Sequence, residues 1–244
     1  MALKLDHDLA KAEASLGLIT PFLDWNWAAA QQHFERAIAL DPNYATAHHW
    51  YAEAYLIPMG KVDAAIVEAR KAQELDPLSP VIATDLGKEL YFGRRYDEAE
   101  VEFRRALELD PNFISAHNWL SDTFLEKGMY SQAARELEKT RAFKEERTYL
   151  RQKAYLLARM GRRSEAERAL EKSLQLSQRK HVSSGAVALV YAMLGKKDKS
   201  FSWLEKACAE KSSFMTSLRY WPAFDGMRAD PRFASLLRNV GLPE

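Results

Sequence analysis

The chain has 244 residues, of which 47% are hydrophobic, and its 35 basic and 34 acidic side chains give a formal net charge of +1. This composition is typical of a folded protein, excludes a disordered chain, and provides no overall charge that would attract nucleic acid or a membrane. The single cysteine, Cys208, excludes an internal disulfide and favours a reducing compartment, so we expect a cytoplasmic protein. No apolar run approaches the roughly 20 residues of a membrane helix, and we expect neither a membrane span nor a secretory signal.

Charge is distributed unevenly along the chain. Residues 1–110 carry a net charge of −8, whereas residues 141–180 carry +7. The basic segment offers two interpretations, a site for an acidic or phosphorylated partner and an ordinary solvated helix surface, and the second is favoured. No basic stripe continues beyond this segment, so the sequence does not favour nucleic-acid binding by this chain itself and leaves it open only through a fused domain. The basic side chains that define the segment include Arg159, Arg162, Arg163, Arg168, Arg179 and Lys180.

The first residues already show a repeating pattern. The string at residues 2–6 (ALKLD) resembles that at residues 106–110 (ALELD), and Asp41 follows Asp6 by one period of 35 residues. We therefore expect residues 1–9 to be the tail of a preceding repeat. A fragment of a longer protein is the favoured interpretation, and a natural start on a partial cap is the alternative.

An Asp-Pro pair then recurs at residues 41–42, 76–77 and 110–111, each time after a helical tail that ends in leucine. The residue before a proline is disfavoured in the helical region, whereas proline itself suits the first turn of a helix. Each pair therefore predicts the end of one helix and the approach of the next. Pro58 predicts a further helix end inside the second unit, whose turn at residues 57–60 is expected to hold one extra residue.

Small residues recur where two helices have to approach each other. Leu86-Gly87 illustrates a large residue followed by a small one in the first helix of a unit, and Ala99 and Ala106 are small positions of the second helix. This is a helical apolar stripe with notches. The signature positions in this unit are Leu86, Gly87, Leu90, Tyr96, Ala99, Phe103, Ala106 and Pro111.

These spacings resemble the tetratricopeptide repeat, a helix–turn–helix unit of about 34 residues. The resemblance implies an all-α, right-handed superhelix (an α-solenoid) of about six helix pairs with a C-terminal capping helix. In the later units a turn glycine keeps the period, at Gly128, Gly161 and Gly195. The predicted units are residues 10–44, 45–79, 80–113, 114–146, 147–180 and 181–212.

Residues 213–244 depart from the period and are predicted to be a cap, because an array needs an atypical end unit to cover its last apolar face. Residues 221–225 (WPAFD) indicate an apolar turn. Asp230 is a predicted N-cap with Pro231 in the first helical turn, followed by an apolar stripe. This tail is similar to the ends of tetratricopeptide regions in bacterial winged-helix regulators, serine/threonine kinases and adenylate cyclases.

The sequence does not favour catalysis or a cofactor. It contains no phosphate-binding glycine loop, no GxSxG string and no HExxH string. A zinc site requires three or four converging ligands, and the spacing of the histidines predicts none. We expect His48 and His117 to be packing residues, since they occupy equivalent places in their repeats, and His49 to face the inner groove.

The face of the first helices is the predicted binding site, because in a superhelix of helix pairs these helices line the concave side. Aromatic, amide and charged side chains together suit an extended peptide or a partner helix. The alternative interpretation is a solvated helix face with half-buried aromatic side chains. The predicted groove residues are His49, Trp50, Glu53, Thr84, Asp85, Lys88, Tyr91, Phe92, Asn118, Trp119, Asp122, Arg151, Tyr155 and Arg159.

We therefore predict a non-enzymatic scaffold that binds a protein or peptide partner. The alternative is the regulatory or sensory region of a longer bacterial signalling protein such as a winged-helix transcriptional regulator, and an enzyme or metal-binding protein with a site in the groove is the least favoured. The resemblance also implies one specific binding mode to consider. Some tetratricopeptide domains bind the C-terminal carboxylates of a peptide with a clamp of Lys, Asn and Arg side chains from successive first helices. Lys88 and Arg151 are suitable residue types, but Glu53, Asp85 and Asp122 lie among them, so the sequence does not favour a clamp.

Overall fold

The computed structural model describes residues 2–177 and 182–243, and the regular structure within these ranges is entirely helical. The chain forms two compact units, one made of residues up to Phe113 together with Gly241–Pro243, and one made of Ile114–Val240. The predicted all-α class, with helices in consecutive pairs, is confirmed. Arg179 and Lys180 of the basic segment lie outside the described residues.

Three helix pairs form the first unit. The bounds are α1 Ala2–Asp24, α2 Trp27–Leu40, α3 Ala45–Tyr51, α4 Val62–Leu75, α5 Pro80–Phe92 and α6 Tyr96–Leu109. Helix α1 packs on α2, α3 on α4, and α5 on α6. Helix α1 runs without interruption from Ala2 to Asp24, so it includes residues of the predicted repeat tail as well as the first predicted helix.

The second unit contains three more pairs and a cap. The bounds are α7 Ile114–Glu126, α8 Tyr130–Lys139, α9 Glu146–Arg159, α10 Arg163–Gln175, α11 Ser184–Met193, α12 Lys197–Ala209 and α13 Pro231–Asn239. Short 3₁₀ segments cover Arg141–Phe143, Ser213–Tyr220 and Pro222–Met227. In this unit α7, α9 and α11 are the first helices of their pairs, as α1, α3 and α5 are in the first unit.

The predicted notches receive aromatic rings. A Cβ atom added to Gly87 would lie 2.5 Å from a ring carbon of Phe103, and one added to Gly17 would lie 3.0 Å from the ring of Phe34. Both phenylalanines are fully buried. Glycine in the first helix therefore allows the second helix to pack a large ring against it.

The extra residue of the second unit is accommodated in a helix, which the sequence did not predict. Helix α3 continues as a π-helix over Ala52–Leu56, and the Ile57 amide donates to the Ala52 carbonyl five residues earlier. A π turn contains one more residue than an α turn, so the insertion is absorbed before Pro58. The helix ends there, as the proline predicts.

The cap has the predicted start and one unpredicted feature. Asp230 accepts a hydrogen bond from the Arg232 amide, and Pro231 occupies the first turn of α13. The stripe formed by Phe233, Leu236, Leu237 and Val240 is buried. The segment expected to be a plain turn is instead a 3₁₀ helix over Pro222–Met227 that packs against α11.

Candidate binding site on the first helices

Ionic hydrogen bonds join the first helices of the first unit. Lys88 Nζ donates to Glu53 Oε1 at 2.6 Å and to Asp85 Oδ1 at 2.9 Å, and His49 Nε2 lies 2.6 Å from Asp85 Oδ2. The contacts of Lys88 with Glu53 and of His49 with Asp85 connect α3 and the π-helix that continues it with α5, between residues 35 and 36 positions apart. The four side chains form one network, which we call the lysine cluster.

The opposite charges of the lysine cluster stabilise one another. Despite burial, the carboxylates of Asp85 and Glu53 raise the pKa of Lys88, and the Lys88 ammonium and His49 hold the pKa of Asp85 well below its usual range. The structure also brings ligand atoms of His49, Glu53 and Asp85 within 4.8 Å of one another, a convergence that the spacing did not predict. The Lys88 ammonium bonds to both of these carboxylates, so it already supplies the positive charge there.

Most of the remaining predicted groove residues of the first unit are buried beneath the surface of the first helices. Tyr91 is fully buried and makes edge contacts with Phe92 and Tyr96, while Thr84 and Phe92 are also buried. The Tyr91 ring therefore has no exposed surface for a partner, contrary to the expectation that it lines the groove. Trp50 is half-buried against a small cluster of alanines.

Sequence reasoning missed one buried acid beside the lysine cluster. Glu89 has no exposed surface, and neither of its carboxyl oxygens has a hydrogen-bond partner among the described residues. Burial raises its pKa well above the usual value, opposed by Lys88 and reinforced by Asp85 and Glu53. Its place four residues after Asp85 on α5 was the available signal, since both then lie on one side of the helix.

The first helices of the second unit are joined by a different set of polar groups. Gln152 Nε2 donates to Asn118 Oδ1 at 3.2 Å, and Arg159 Nη2 donates to Glu126 Oε2 at 2.9 Å and to the Leu125 carbonyl. Lys144 donates to Asn118 and to Gln152. Pairs such as Asn118 and Gln152 are 34 residues apart, so equivalent positions of successive repeats meet.

A cavity of about 210 Å³ lies within the second unit. Five of the six groove residues predicted on α7 and α9 line it, and Arg159 does not. We call it the α7–α9 pocket. Its lining residues are Asn118, Trp119, Ser121, Asp122, Leu125, Leu137, Arg151, Gln152, Tyr155, Leu156, Ala186, Leu189, Phe214 and Trp221.

One wall of the α7–α9 pocket is a stack of three aromatic rings. Trp119 stacks on Trp221 with ring centroids 5.4 Å apart, and Trp221 stacks on Phe214 at 5.5 Å. The sequence analysis predicted Trp119 but missed Phe214 and Trp221, which come from the 3₁₀ region after α12. The apolar turn string at residues 221–225 was the only signal, and it did not indicate which helix the rings would meet.

The charged groups of the α7–α9 pocket have shifted pKa values. Burial and the neighbouring Glu126 raise the pKa of Asp122 to about 7, although Arg151, Lys144 and Arg159 oppose the shift. Burial lowers the pKa of Arg151 to about 10, and burial together with Arg151 lowers that of Lys144 to about 8. Shifted pKa values of charged groups that line a cavity are typical of binding and functional sites.

Two of the remaining histidines have local partners. His48 Nδ1 lies 2.6 Å from Glu68 Oε2 and its Nε2 2.9 Å from the Pro42 carbonyl, and His117 Nδ1 lies 2.6 Å from Glu136 Oε2. Both rings are buried, and each joins the first helix of its pair to the second. These contacts are those expected of packing residues.

Tetratricopeptide family profiles match residues 33–67 and 84–144. A fungal relative, the small glutamine-rich tetratricopeptide repeat-containing protein 2 of Mycosarcoma maydis, is 32% identical over 108 residues, which is 44% of this chain. The chain spans 30% of the length of that relative. Residues 33–67 and 84–144 are thus similar to tetratricopeptide repeats, as the sequence pattern predicts.

Solved structures show the same fold at low identity. PilF of Pseudomonas aeruginosa is 18% identical with a TM-score of 0.60, covering 96% of this chain and 98% of PilF. TTC0263, a thermophilic TPR protein of Thermus thermophilus, is 18% identical with a TM-score of 0.62 over 79% of this chain and 99% of its own. These comparisons show the same helical-repeat fold. Among the described residues, no helix combines the length and apolarity needed to cross a membrane.

Proposed function

We propose that the protein is a non-enzymatic scaffold whose first-helix face binds a peptide or a helix of a protein partner. Tetratricopeptide domains generally mediate protein–protein interactions, which is the coarse function that the family implies. Here the observation that carries the proposal is the set of contacts between equivalent positions of successive first helices. Gln152 with Asn118, and Lys88 with Glu53, hold neighbouring first helices at a fixed spacing in their respective units.

This arrangement suits an extended partner because it presents polar groups at one repeat spacing on each unit. Amide, ionic and half-buried aromatic side chains, Trp50 and Trp119 among them, follow one another on the first helices. Such a mixture supports orientation by hydrogen bonds and affinity by aromatic burial. A terminal-carboxylate clamp is not proposed, since Lys88 is already bonded to Glu53 and Asp85.

A selection from a random peptide library tests this function. Peptides recovered with the wild-type protein are synthesised, and their affinity is measured by titration calorimetry. The variant Trp50→Ala/Gln152→Ala alters first helices of both units, and we expect it to bind at least about tenfold more weakly, as a loss of 1.4 kcal/mol or more would produce. Membership of a longer signalling protein stays a prediction, which the coding sequence flanking the native gene tests.

The matched control is Val67→Ser/Val101→Ser. These two valines lie on the second helices α4 and α6 and are 64% and 61% exposed. Equal affinity of the first-helix variant and the wild type, with both folded by circular dichroism, would contradict the proposal. Loss of binding in the valine variant alone would place the partner on the second helices instead.

A further inference from the structure

The α7–α9 pocket contains one acidic and one basic side chain that have no hydrogen-bond or ion-pair partner among the described residues. Asp122 and Arg151 both line it, and neither side chain makes a hydrogen bond or an ion pair with any residue that the structure describes. Their charges act on each other across the pocket but do not meet in an ion pair. Both side chains are half-buried, and charges held partly away from water without a partner cost free energy, so an occupant that satisfies both would be stabilised.

Other polar groups of the lining are already engaged within the protein. Asn118 Oδ1 accepts from Lys144 and Gln152, and Ser121 Oγ donates to the Ala133 carbonyl at 2.9 Å. The charged side chains of the lining are the carboxyl of Asp122 and the guanidinium of Arg151. This pairing points to an occupant that carries a donor and an acceptor together.

The apolar part of the lining indicates what lies between these two groups. The stack of Trp119, Trp221 and Phe214 forms a flat wall, with Leu125 and Leu189 also in the lining. Aromatic faces favour stacked rings and apolar bodies. The cavity has a volume of about 210 Å³. That is below the range of about 300–1,000 Å³ for drug-sized ligands, so the site suits a small molecule.

We propose that the α7–α9 pocket binds a small zwitterion of the α-amino-acid type. The ammonium group donates to Asp122, the carboxylate accepts from Arg151, and the side chain packs against Trp119 and Trp221. This function goes beyond the binding of a protein partner and does not depend on it. Lys144, which neighbours Arg151, adds positive charge on the carboxylate side.

Ligands of single charge fit less well. An inorganic anion pairs with Arg151 but is repelled by Asp122, and a metal cation pairs with Asp122 but is repelled by Arg151 and Lys144. A zwitterion brings one charge to each group and no net charge into the pocket. A neutral peptide group also has a donor and an acceptor, and the experiment below separates it from a zwitterion.

The experiment is titration calorimetry of the whole protein with L-phenylalanine, L-tryptophan and L-leucine. Three derivatives of the first compound isolate the two charges: N-acetyl-L-phenylalanine lacks the ammonium, L-phenylalaninamide lacks the carboxylate, and N-acetyl-L-phenylalaninamide lacks both. We expect saturable binding of at least one free amino acid, and at least about tenfold weaker binding of each derivative, since hydrogen bonds to charged groups contribute about 1.5–3 kcal/mol.

Two variants assign each charge to its residue. Asp122→Asn should weaken binding of L-phenylalanine about tenfold or more. It should leave the affinity for N-acetyl-L-phenylalanine unchanged, because that derivative has no ammonium group to bind Asp122. Arg151→Gln should also weaken binding of L-phenylalanine about tenfold or more, and it should leave the affinity for L-phenylalaninamide unchanged, because that derivative has no carboxylate. Arg168→Gln is the matched control, since Arg168 is exposed on α10 and lies outside the pocket.

The affinity should also depend on pH. Asp122 faces Glu126 on its own helix, Arg151 and Arg159 from α9, and Lys144 before α9, whereas α11 and the 3₁₀ region contribute uncharged residues to the lining. A free-state pKa of about 7 means that Asp122 gains its negative charge as pH rises from 6 to 8. Binding of L-phenylalanine should strengthen several-fold over this interval in the wild type but not in Asp122→Asn.

Several results would overturn the zwitterion site. One is the absence of saturable binding for all three amino acids up to about 10 mM, the concentration at which a Kd of 1 mM would give near-complete binding. Another is N-acetyl-L-phenylalaninamide binding as tightly as the free amino acid, which would assign the pocket to a peptide group. The scaffold test uses library peptides and this test uses free amino acids, so failure here leaves the scaffold function unaffected, and the reverse also holds.

Discussion

Arg94 and Gly128, 34 residues apart, both have a left-handed backbone, with φ values of 62° and 72°. Each residue lies in the turn between the two helices of its pair. Gly60, Gly161 and Gly195 occupy the same place in other pairs, also with positive φ. The sequence predicted the turn glycine at these places but gave no indication that Arg94, rather than Gly93, takes the left-handed position in the third pair.

This relationship predicts opposite effects of two substitutions. Gly128→Ala should destabilise the fold by about 1 kcal/mol, because a side chain in the left-handed region costs roughly 1–2 kcal/mol. An added Cβ would touch nothing within 4 Å, so the cost is conformational. Arg94→Gly should be neutral or stabilising by up to about 1 kcal/mol. Urea unfolding monitored by circular dichroism measures both, and a large loss in Arg94→Gly would contradict the strain argument.

Glu89 predicts a stability that depends on pH. Its native pKa is raised well above 4.5, so the native carboxyl stays protonated where the unfolded chain is ionised. The unfolded state then binds fewer protons, and stability falls as pH rises above about 4.5. Glu89→Gln should remove this slope, giving a variant about 1–3 kcal/mol more stable at pH 7 and not at pH 4. Glu108→Gln is the exposed control, and parallel pH profiles of Glu89→Gln and wild type would exclude a buried neutral acid.

Lys88 should be essential to the lysine cluster. Lys88→Met leaves the carboxylates of Glu53 and Asp85 together without their cation, and removing one partner of a buried ion pair costs about 3–5 kcal/mol. The loss should shrink below about pH 4, because without the Lys88 ammonium to hold the pKa of Asp85 down, its carboxyl becomes protonated nearer the usual pH. Lys71→Met is a suitable control, because the exposed pair of Lys71 with Glu74 contributes about 0–1 kcal/mol. Calorimetric melting at pH 7 and pH 3.5 measures both variants, and a penalty independent of pH would contradict the ionic explanation.

Gly185 should control the aromatic wall of the pocket. A Cβ at this position would lie 2.1 Å from two carbons of the Phe214 ring, so Gly185→Ala must displace that ring. We expect a loss of about 1–3 kcal/mol, the usual cost of overpacking, and a changed near-ultraviolet circular dichroism signal from Trp221. Gly226→Ala is the matched control, since its added Cβ meets nothing within 4 Å. An unchanged aromatic signal in Gly185→Ala would show that Phe214 has room to move.

The repeat pattern of the sequence determined the all-α class, the helix ends at the Asp-Pro pairs, the notch at Gly87, and the N-cap at Asp230. These features follow from local chemistry: the restriction that proline imposes, the freedom of glycine, and capping by a short polar side chain. The groove residues were predicted by one helical face alone. That rule found Asp122 and Arg151, but it also included Tyr91, which packs beneath the face.

Tertiary structure decided which of these side chains meet. The stack of Trp221 and Phe214 on Trp119 depends on how the 3₁₀ region folds back onto α7, which no local pattern encodes. The same is true of the lysine cluster, where carboxylates from two helices converge on one ammonium, and of Glu89, whose pKa rises because packing removes it from water. Periodicity assigns a residue to a helix face, whereas burial and the distance to residues remote in sequence determine its chemistry.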